Sequence, residues 1–219
     1  MRITKFGHCC LLLEIHGVRL LTDPGNMTTA QQDVVDVDAV LITHEHADHF
    51  HMESLKALLA RNPGARSIAN GSVGKLLEKD GIAHEVVGDG QSADVTGVSV
   101  EGFGTKHALV YPPDFGLVEN TGYLIAGAFY FPGDNFHLPT GADGAMRPVD
   151  VLALPVSGPW MKMHEALDFL FEVKPRAAFG VHDGMIRPAF HFGARLAENL
   201  APKRGIEYVT IPDGETREF

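Results

Sequence analysis

Six consecutive residues constrain this chain more than any others: His44-Glu45-His46-Ala47-Asp48-His49, directly after the apolar segment 37–42 and Thr43. An apolar stretch of that length reads as a buried strand, predicted over residues 37–43. Residues two apart in extended backbone point the same way, so His44 and His46 can face one ion together. The chain then has to turn into a helix predicted from Met52, and the turn swings Asp48 and His49 toward a second position nearby. An isolated His-x-His is more often an ordinary surface or core pair. Four ligating groups in six residues at the mouth of an apolar strand are electrostatically awkward without a cation. Neutral imidazole and carboxylate suit zinc. They suit iron and manganese as well, so ligand type does not fix the metal.

The 12 histidines are scattered along the chain, and several sit at the ends of predicted strands. A length of 219 residues suits one domain, predicted over 1–219 with one continuous core. The formal net charge of −10 repels phosphate backbones, which argues against general nucleic-acid binding. The longest apolar runs, such as 37–42 and 149–156, fall far short of the roughly 20 residues that span a bilayer. The first residues lack the apolar stretch of a secretory signal, so a cytoplasmic protein is expected. Cys9 and Cys10 are adjacent and would point to opposite faces of a strand, so they are expected as reduced thiols rather than a disulfide.

Patterning predicts many short elements. Strands are expected at 2–6, 10–15 and 18–22, with His16-Gly17 as a tight hairpin turn. A helix at 52–61 carries Leu55, Leu58 and Leu59 on one face. A short strand at 67–69 precedes a helix capped by Ser72 and running to 79. Strands follow at 83–87, 98–104, 106–110, 122–125 and 128–131. The second half alternates: strand 149–154, helix 163–171, strand 176–181, helix 188–200, then strands 208–211 and 215–219. Strand clusters interleaved with amphipathic helices suggest sheets covered by helices. Periodicity alone does not choose between one sheet and two. Pro112-Pro113-Asp114 suggests a stiff loop at the rim of the site.

The run at 44–49 resembles the His-x-His-x-Asp-His motif of the metallo-β-lactamase superfamily. Other segments resemble the ascorbate phosphate lactonase-like branch of that family: Leu21-Thr22-Asp23-Pro24, Phe131-Pro132-Gly133-Asp134, Leu154-Pro155-Val156-Ser157-Gly158 with Met161 and Glu165, and Ala178-Phe179-Gly180-Val181-His182. The resemblance runs from Gly7-His8 to His182 and implies an α/β fold, the αββα sandwich of the family. It implies two divalent metal ions, zinc before manganese or iron. His44, His46 and His107 would hold the first, Asp48, His49 and His182 the second, and Asp134 would bridge them. His84 is the rival to His107 but opens a predicted strand well before the expected position. Asp48 doubles as a candidate for orienting or deprotonating the attacking water. His8, Asp23, Asn135, His137 and Ser157 are candidates for supporting a ligand or touching substrate. Asp23 is equally a turn former before Pro24, and Trp160 and Met161 sit in a loop that would wall the pocket.

Two metals about 3.5–4 Å apart can share a water and lower its pKa from about 15.7 toward roughly 7. The bridging hydroxide then serves as nucleophile, and no Ser or Cys nucleophile is needed. The leading expectation is therefore hydrolysis of a small-molecule ester or lactone, phosphorylated or anionic by family resemblance. A phosphodiesterase acting on nucleotide or phospholipid substrates is the alternative. A di-iron redox protein and a non-catalytic metal-binding module are the readings from other classes. Relatives of this kind often self-associate, so a homo-oligomer is one expectation.

Overall fold

In the computed structural model, which describes residues 1–111 and 117–219, the strands gather into two sheets. They are β1 (Arg2–Gly7), β2 (Cys10–Ile15), β3 (Val18–Thr22), β4 (Ala39–Ile42), β5 (Arg66–Ala69), β6 (Glu85–Val86) and β7 (Ser92–Val95). The rest are β8 (Val98–Phe103), β9 (Gly122–Ile125), β10 (Phe129–Phe131), β11 (Val151–Pro155), β12 (Ala177–Val181), β13 (Glu207–Val209) and β14 (Thr216–Glu218). The first sheet has the order β14-β1-β2-β3-β4-β5-β6 and the second β13-β12-β11-β10-β9-β8-β7. Each is antiparallel where hairpins connect neighbours and parallel where a crossover does, as in β3-β4-β5 and β10-β11-β12. The helices are α1 (Met52–Arg61), α2 (Gly71–Lys79), α3 (Met163–Val173) and α4 (Phe192–Leu200).

Strand alternation sorts the apolar side chains into three layers. Leu11 and Leu13 of β2 face the second sheet and pack in one cluster with Leu20, Leu41, Ile125, Phe129 and Phe179. Leu12 faces outward and packs with Leu55 and Leu58 of α1 and Val73 and Leu77 of α2. On the far side, Leu152 and Leu154 of β11 pack with Phe169 and Leu170 of α3 and Ala197 of α4. Helix, sheet, sheet, helix is the resulting order, the αββα sandwich that the resemblance implied. Each of these fully buried Leu or Phe side chains is worth about 1.5–3 kcal/mol of transfer free energy. Cys9 belongs to the layer between the sheets and Cys10 to the outer layer, and both are free thiols. No helix among the described residues is long and apolar enough to cross a membrane.

Several expectations need correction. The predicted strand 106–110 does not form. Gly104, at φ +82°, turns the chain out of β8, and the segment bonds as a loop through His107 N–H to the Val118 carbonyl and Ala108 N–H to the Asp134 carbonyl. The edge strand β7 was not foreseen. The helix over 71–79 is capped by Asn70, whose side chain accepts from Val73 N–H, and not by Ser72. The helix expected over 188–200 splits into a 3-10 turn, Pro188–Phe190, and α4, because His191 at ψ 63° leaves helical geometry. The strand predicted over 37–43 shortens to β4, which releases Thr43 and His44 into the site. Pro112-Pro113-Asp114 lie outside the described residues.

Candidate metal centre

The residues of interest lie where strands end. Asp23 follows β3, the run 44–49 follows β4, His107 lies beyond β8, Asp134 follows β10 and His182 follows β12. Ligands from both sheets thus meet at one end of the sandwich, at strand C-termini, where open α/β sheets commonly build sites. The crowding demands small residues. A Cβ at Gly25 would overlap the Asp48 carbonyl, so the loop after Asp23 can press against the His-rich turn only with glycine there.

The side chains form two groups that share Asp134. Ligating atoms of His44, His46 and His107 lie within 4.8 Å of one another, as do those of His8, Asp48, His49 and His182. Asp134 Oδ2 is 2.9 Å from His182 Nε2, 3.3 Å from His107 Nε2 and 4.0 Å from His44 Nε2, while its Oδ1 is 3.1 Å from His49 Nε2. One carboxylate therefore touches both groups. His44, His49, His107, His182 and Asp134 are buried, whereas His46 and Asp48 are only partly so and mark the open side.

Five buried atoms of these residues have no hydrogen-bond partner: His182 Nδ1 and, aimed toward Asp134 or carried by it, His44 Nε2, His49 Nε2, His182 Nε2 and Asp134 Oδ1. An unsatisfied buried polar atom costs about 1–3 kcal/mol. Four such atoms converging on one small volume fit a cation, and the imidazole–carboxylate donor set fits a divalent one. The charges agree. Burial pushes Asp134 up, but His49 and His182 beside it hold it well below the usual carboxylate range. Burial pushes His49 down, yet Asp134 and Asp23 carry it well above the usual imidazole range. The carboxylates around His49 thus call for positive charge at this point, which a bound cation would supply.

Hydrogen-bond polarity sorts the histidines. His49 Nδ1–H donates to Asp23 Oδ2 at 2.7 Å, and His107 Nδ1–H donates to the Ala108 carbonyl at 2.5 Å. Thr43 Oγ1 donates to Asp23 Oδ2, so it accepts from His44 Nδ1–H at 3.0 Å. All three rings therefore present a bare Nε2 to the centre, the usual work of groups that back a metal ligand. His8 is the reverse. Its Nδ1 accepts from Gly184 N–H at 3.2 Å, which leaves the proton on Nε2 to be donated to Asp48 Oδ2 at 3.1 Å. Burial lowers the His8 pKa, in keeping with a neutral ring. Asp48 is pushed up by burial, but the His8 hydrogen bond and the His49 charge hold it below the usual range.

The remaining candidates divide. Asp23, fully buried, also takes Thr43 N–H at 2.8 Å, so it supports the site and does not merely shape the turn. Ser157 donates to the His182 carbonyl. Asn135 turns away and donates to the Lys106 carbonyl, and the exposed His137 ring lies beside Gly104; neither joins the cluster. His84 is far from it, bonded to the Ile82 carbonyl. Two contributors were not legible as such: Thr43, the relay between His44 and Asp23, and Trp160, whose Nε1–H donates to Asp134 Oδ2 at 2.8 Å. Cys9 Sγ also lies within 4.8 Å of ligating atoms of His49 and Asp134. Burial and the charge of Asp134 raise its thiol pKa well above the ordinary value.

Comparison with known proteins bears on the family and the fold. The profile described as a β-lactamase superfamily domain matches residues 2–182. Protein Rv0786c of Mycobacterium tuberculosis is 32% identical over 224 residues, covering 100% of this chain and 95% of that protein. The UPF0173 metal-dependent hydrolase MK1542 of Methanopyrus kandleri is 27% identical over 201 residues, covering 86% of each. Among solved structures, Igni18, a metallo hydrolase from Ignicoccus hospitalis, superposes with a TM-score of 0.76 at 20% identity, over 100% of this chain and 98% of that one. The layered sheets, the strand-end histidines and the sequence match over most of the chain lead to one assignment: this chain belongs to the metallo-β-lactamase superfamily of metal-dependent hydrolases.

Proposed function

We propose that the centre holds two divalent metal ions and hydrolyses a small-molecule ester or lactone. His44, His46 and His107 would hold one ion, Asp48, His49 and His182 the other, with Asp134 between them. The observation that carries this reading is the position of Asp134, whose two oxygens reach both groups of ligands while one of them has no hydrogen-bond partner. Ions at these positions supply Lewis acidity toward an attacked carbonyl or phosphoryl oxygen and make water nucleophilic at neutral pH. Zinc is the first expectation for both, ahead of manganese and iron.

The chain's own residues orient and exclude. His8 fixes Asp48 Oδ2 through its Nε2–H, which leaves Asp48 Oδ1 to accept a proton from, or align, the attacking water on the open side. Asp23 and Thr43 hold the imidazoles with their bare nitrogens inward. Trp160 covers Asp134 and keeps bulk water from its Oδ2. No side-chain nucleophile competes. Cys9 and Cys10 are buried thiols with raised pKa values, and the Ser157 hydroxyl is committed to a backbone carbonyl.

The test is metal content per chain on protein purified without chelator, followed by a screen of lactones, carboxylic esters and phosphodiesters. Two equivalents of zinc or manganese with turnover of a lactone or ester support the proposal. Turnover of phosphodiesters alone would move the substrate to the alternative class, and two equivalents of iron with oxygen consumption would move the chemistry to redox. His46→Ala and Asp134→Ala should each abolish hydrolysis while leaving the fold, and unchanged activity in either would sink the assigned roles.

A further inference from the structure

Among the described residues, several large apolar side chains stand exposed on segments that lead away from the strand ends where the metal centre lies. Met163, Met185, Phe190 and Phe192 lie on the segments that follow β11 and β12, and Leu109 and Tyr111 follow His107. Phe190 and Phe192 are each 58% exposed. Surface apolar residues scattered singly need no explanation, but a gathered patch beside a functional site does. Here Met161, Met163, Phe190 and Phe192, with Val156 and Ile186, line one groove of about 190 Å³.

The groove is joined to the metal centre by short covalent and hydrogen-bonded links. Ser157 lies in its wall and donates to the carbonyl of His182. Ile186 is on the chain segment that leaves His182. Met161 directly follows Trp160, whose indole N–H holds Asp134 Oδ2. Size and charge restrict the occupant. Pockets for whole ligands run to about 300–1,000 Å³. At about 190 Å³ this groove falls below that range, enough for a side group but not for a whole substrate or a partner's helix. No Lys or Arg is among the residues lining it, so nothing there meets a phosphate or carboxylate.

We propose that this groove receives an uncharged apolar substituent, a short acyl chain or an aryl ring, of the compound hydrolysed at the metal centre. The inference rests on the hydrolase reading above and narrows it: the part of the substrate beyond the scissile bond is apolar.

The test uses metal-loaded protein and p-nitrophenyl esters from acetate to hexanoate. Burial of one methylene is worth about 0.8 kcal/mol, about fourfold in kcat/KM. The preference should therefore climb by tenfold or more across the series. In Phe190→Ser/Phe192→Ser the climb should flatten, so that hexanoate is no longer preferred over acetate. Both positions are exposed, so the fold is not at stake. A second readout is independent of turnover. Trp160 is the only tryptophan, and its emission should respond saturably to 1-hexanol in the wild type, weakly in the double variant, and not to added apolar solute of equal concentration that exceeds the groove, such as a bulky sterol. Hydrolysis that is indifferent to chain length, with no hexanol response, overturns the groove and leaves the hydrolase reading intact. No hydrolysis of any ester or lactone, with the hexanol response present, removes the hydrolase reading and supports the groove as an apolar site. A wild-type dimer that the double variant turns into monomers, with chain-length preference unchanged, overturns the proposal in favour of a contact between copies of this chain.

Discussion

Replacing Asp23 by Asn is the sharpest test of how the centre is held. Asp23 is fully buried and accepts three hydrogen bonds: Thr43 N–H on Oδ1, and Thr43 O–H and His49 Nδ1–H on Oδ2. An amide can keep its oxygen on only one side. If the oxygen stays toward His49, the amide N–H₂ faces Thr43 N–H, donor against donor. If it flips, the N–H₂ faces His49 Nδ1, which must then give up its proton and carry it on Nε2. A His49 protonated on Nε2 cannot bind a cation. Either way about one charge-assisted hydrogen bond is lost, worth about 1.5–3 kcal/mol. At about 1.4 kcal/mol per tenfold, that is roughly a ten- to hundredfold loss of metal affinity, the range seen when groups behind a ligand are changed. Competition against a chelating dye should show two zinc equivalents in the wild type and, in Asp23→Asn, at least one weakened by that factor. The ion beside His49 should suffer more than the one beside His44, which Asp23 reaches only through Thr43. Wild-type affinity for both equivalents would refute the relay.

Three further outcomes are expected. His107→Ala should lose one metal equivalent and all hydrolysis, whereas His84→Ala should lose neither; the reverse result, by metal analysis, would restore His84 as the ligand. Lys5→Met should lower stability by about 3–5 kcal/mol, because it strands Asp183, bonded to Lys5 Nζ at 2.5 Å with their side chains 16% and 3% exposed. Thermal unfolding should then fall by roughly 6–20 °C, and an unchanged melting temperature would count against the pair. Cys9 and Cys10 have pKa values raised well above the ordinary thiol, chiefly by burial. At pH near 8.5, where a free thiol is about half ionised, neither should react with a chromogenic disulfide until the protein is unfolded. Since the raised values belong to the folded state, their contribution to stability is complete below that pH and is lost as pH climbs further, which denaturant titrations at two pH values would register.

Much of this could be read from the sequence because the signals were local. Four ligating groups in six residues after an apolar strand need no knowledge of the fold to be seen. The His16-Gly17 turn was equally plain, with both residues at positive φ as such hairpins require. The same geometry at Thr96-Gly97, joining β7 to β8, escaped notice. A β-branched residue is a poor guest at positive φ, so nothing in the sequence advertised that turn, and the strand before it went unseen. The expectation of a strand at 106–110 failed for a related reason. A short apolar run such as Ala108-Leu109-Val110 suits an edge strand or a loop equally, and the choice was made by a distant partner, the Asp134 carbonyl that takes Ala108 N–H. Thr43 was illegible as a contributor to the site, and Trp160 was legible only as part of a loop walling the pocket, because their roles depend on contacts across the fold. Trp160 Nε1 meets a carboxylate 26 positions earlier, and no spacing rule connects them.

The division of ligands between the sheets has a mechanical consequence. His44, His46, Asp48 and His49 hang from the first sheet, and His107, Asp134 and His182 from the second. The layer between them is held chiefly by side-chain packing, with a few hydrogen bonds across it, such as Tyr123 O–H to the Ile42 carbonyl at 3.1 Å and Thr121 N–H to the Thr43 carbonyl at 3.0 Å. An ion held by these residues as proposed would act as a rivet at one end of the sandwich. Its hold tightens with free-ion concentration, adding about 2.7 kcal/mol when the ion stands at a hundred times its Kd. Stripping the ion should therefore let the two sheets begin to part from that end, with amide exchange quickening first at the C-terminal tips of β4, β10 and β12 while the opposite rim stays closed.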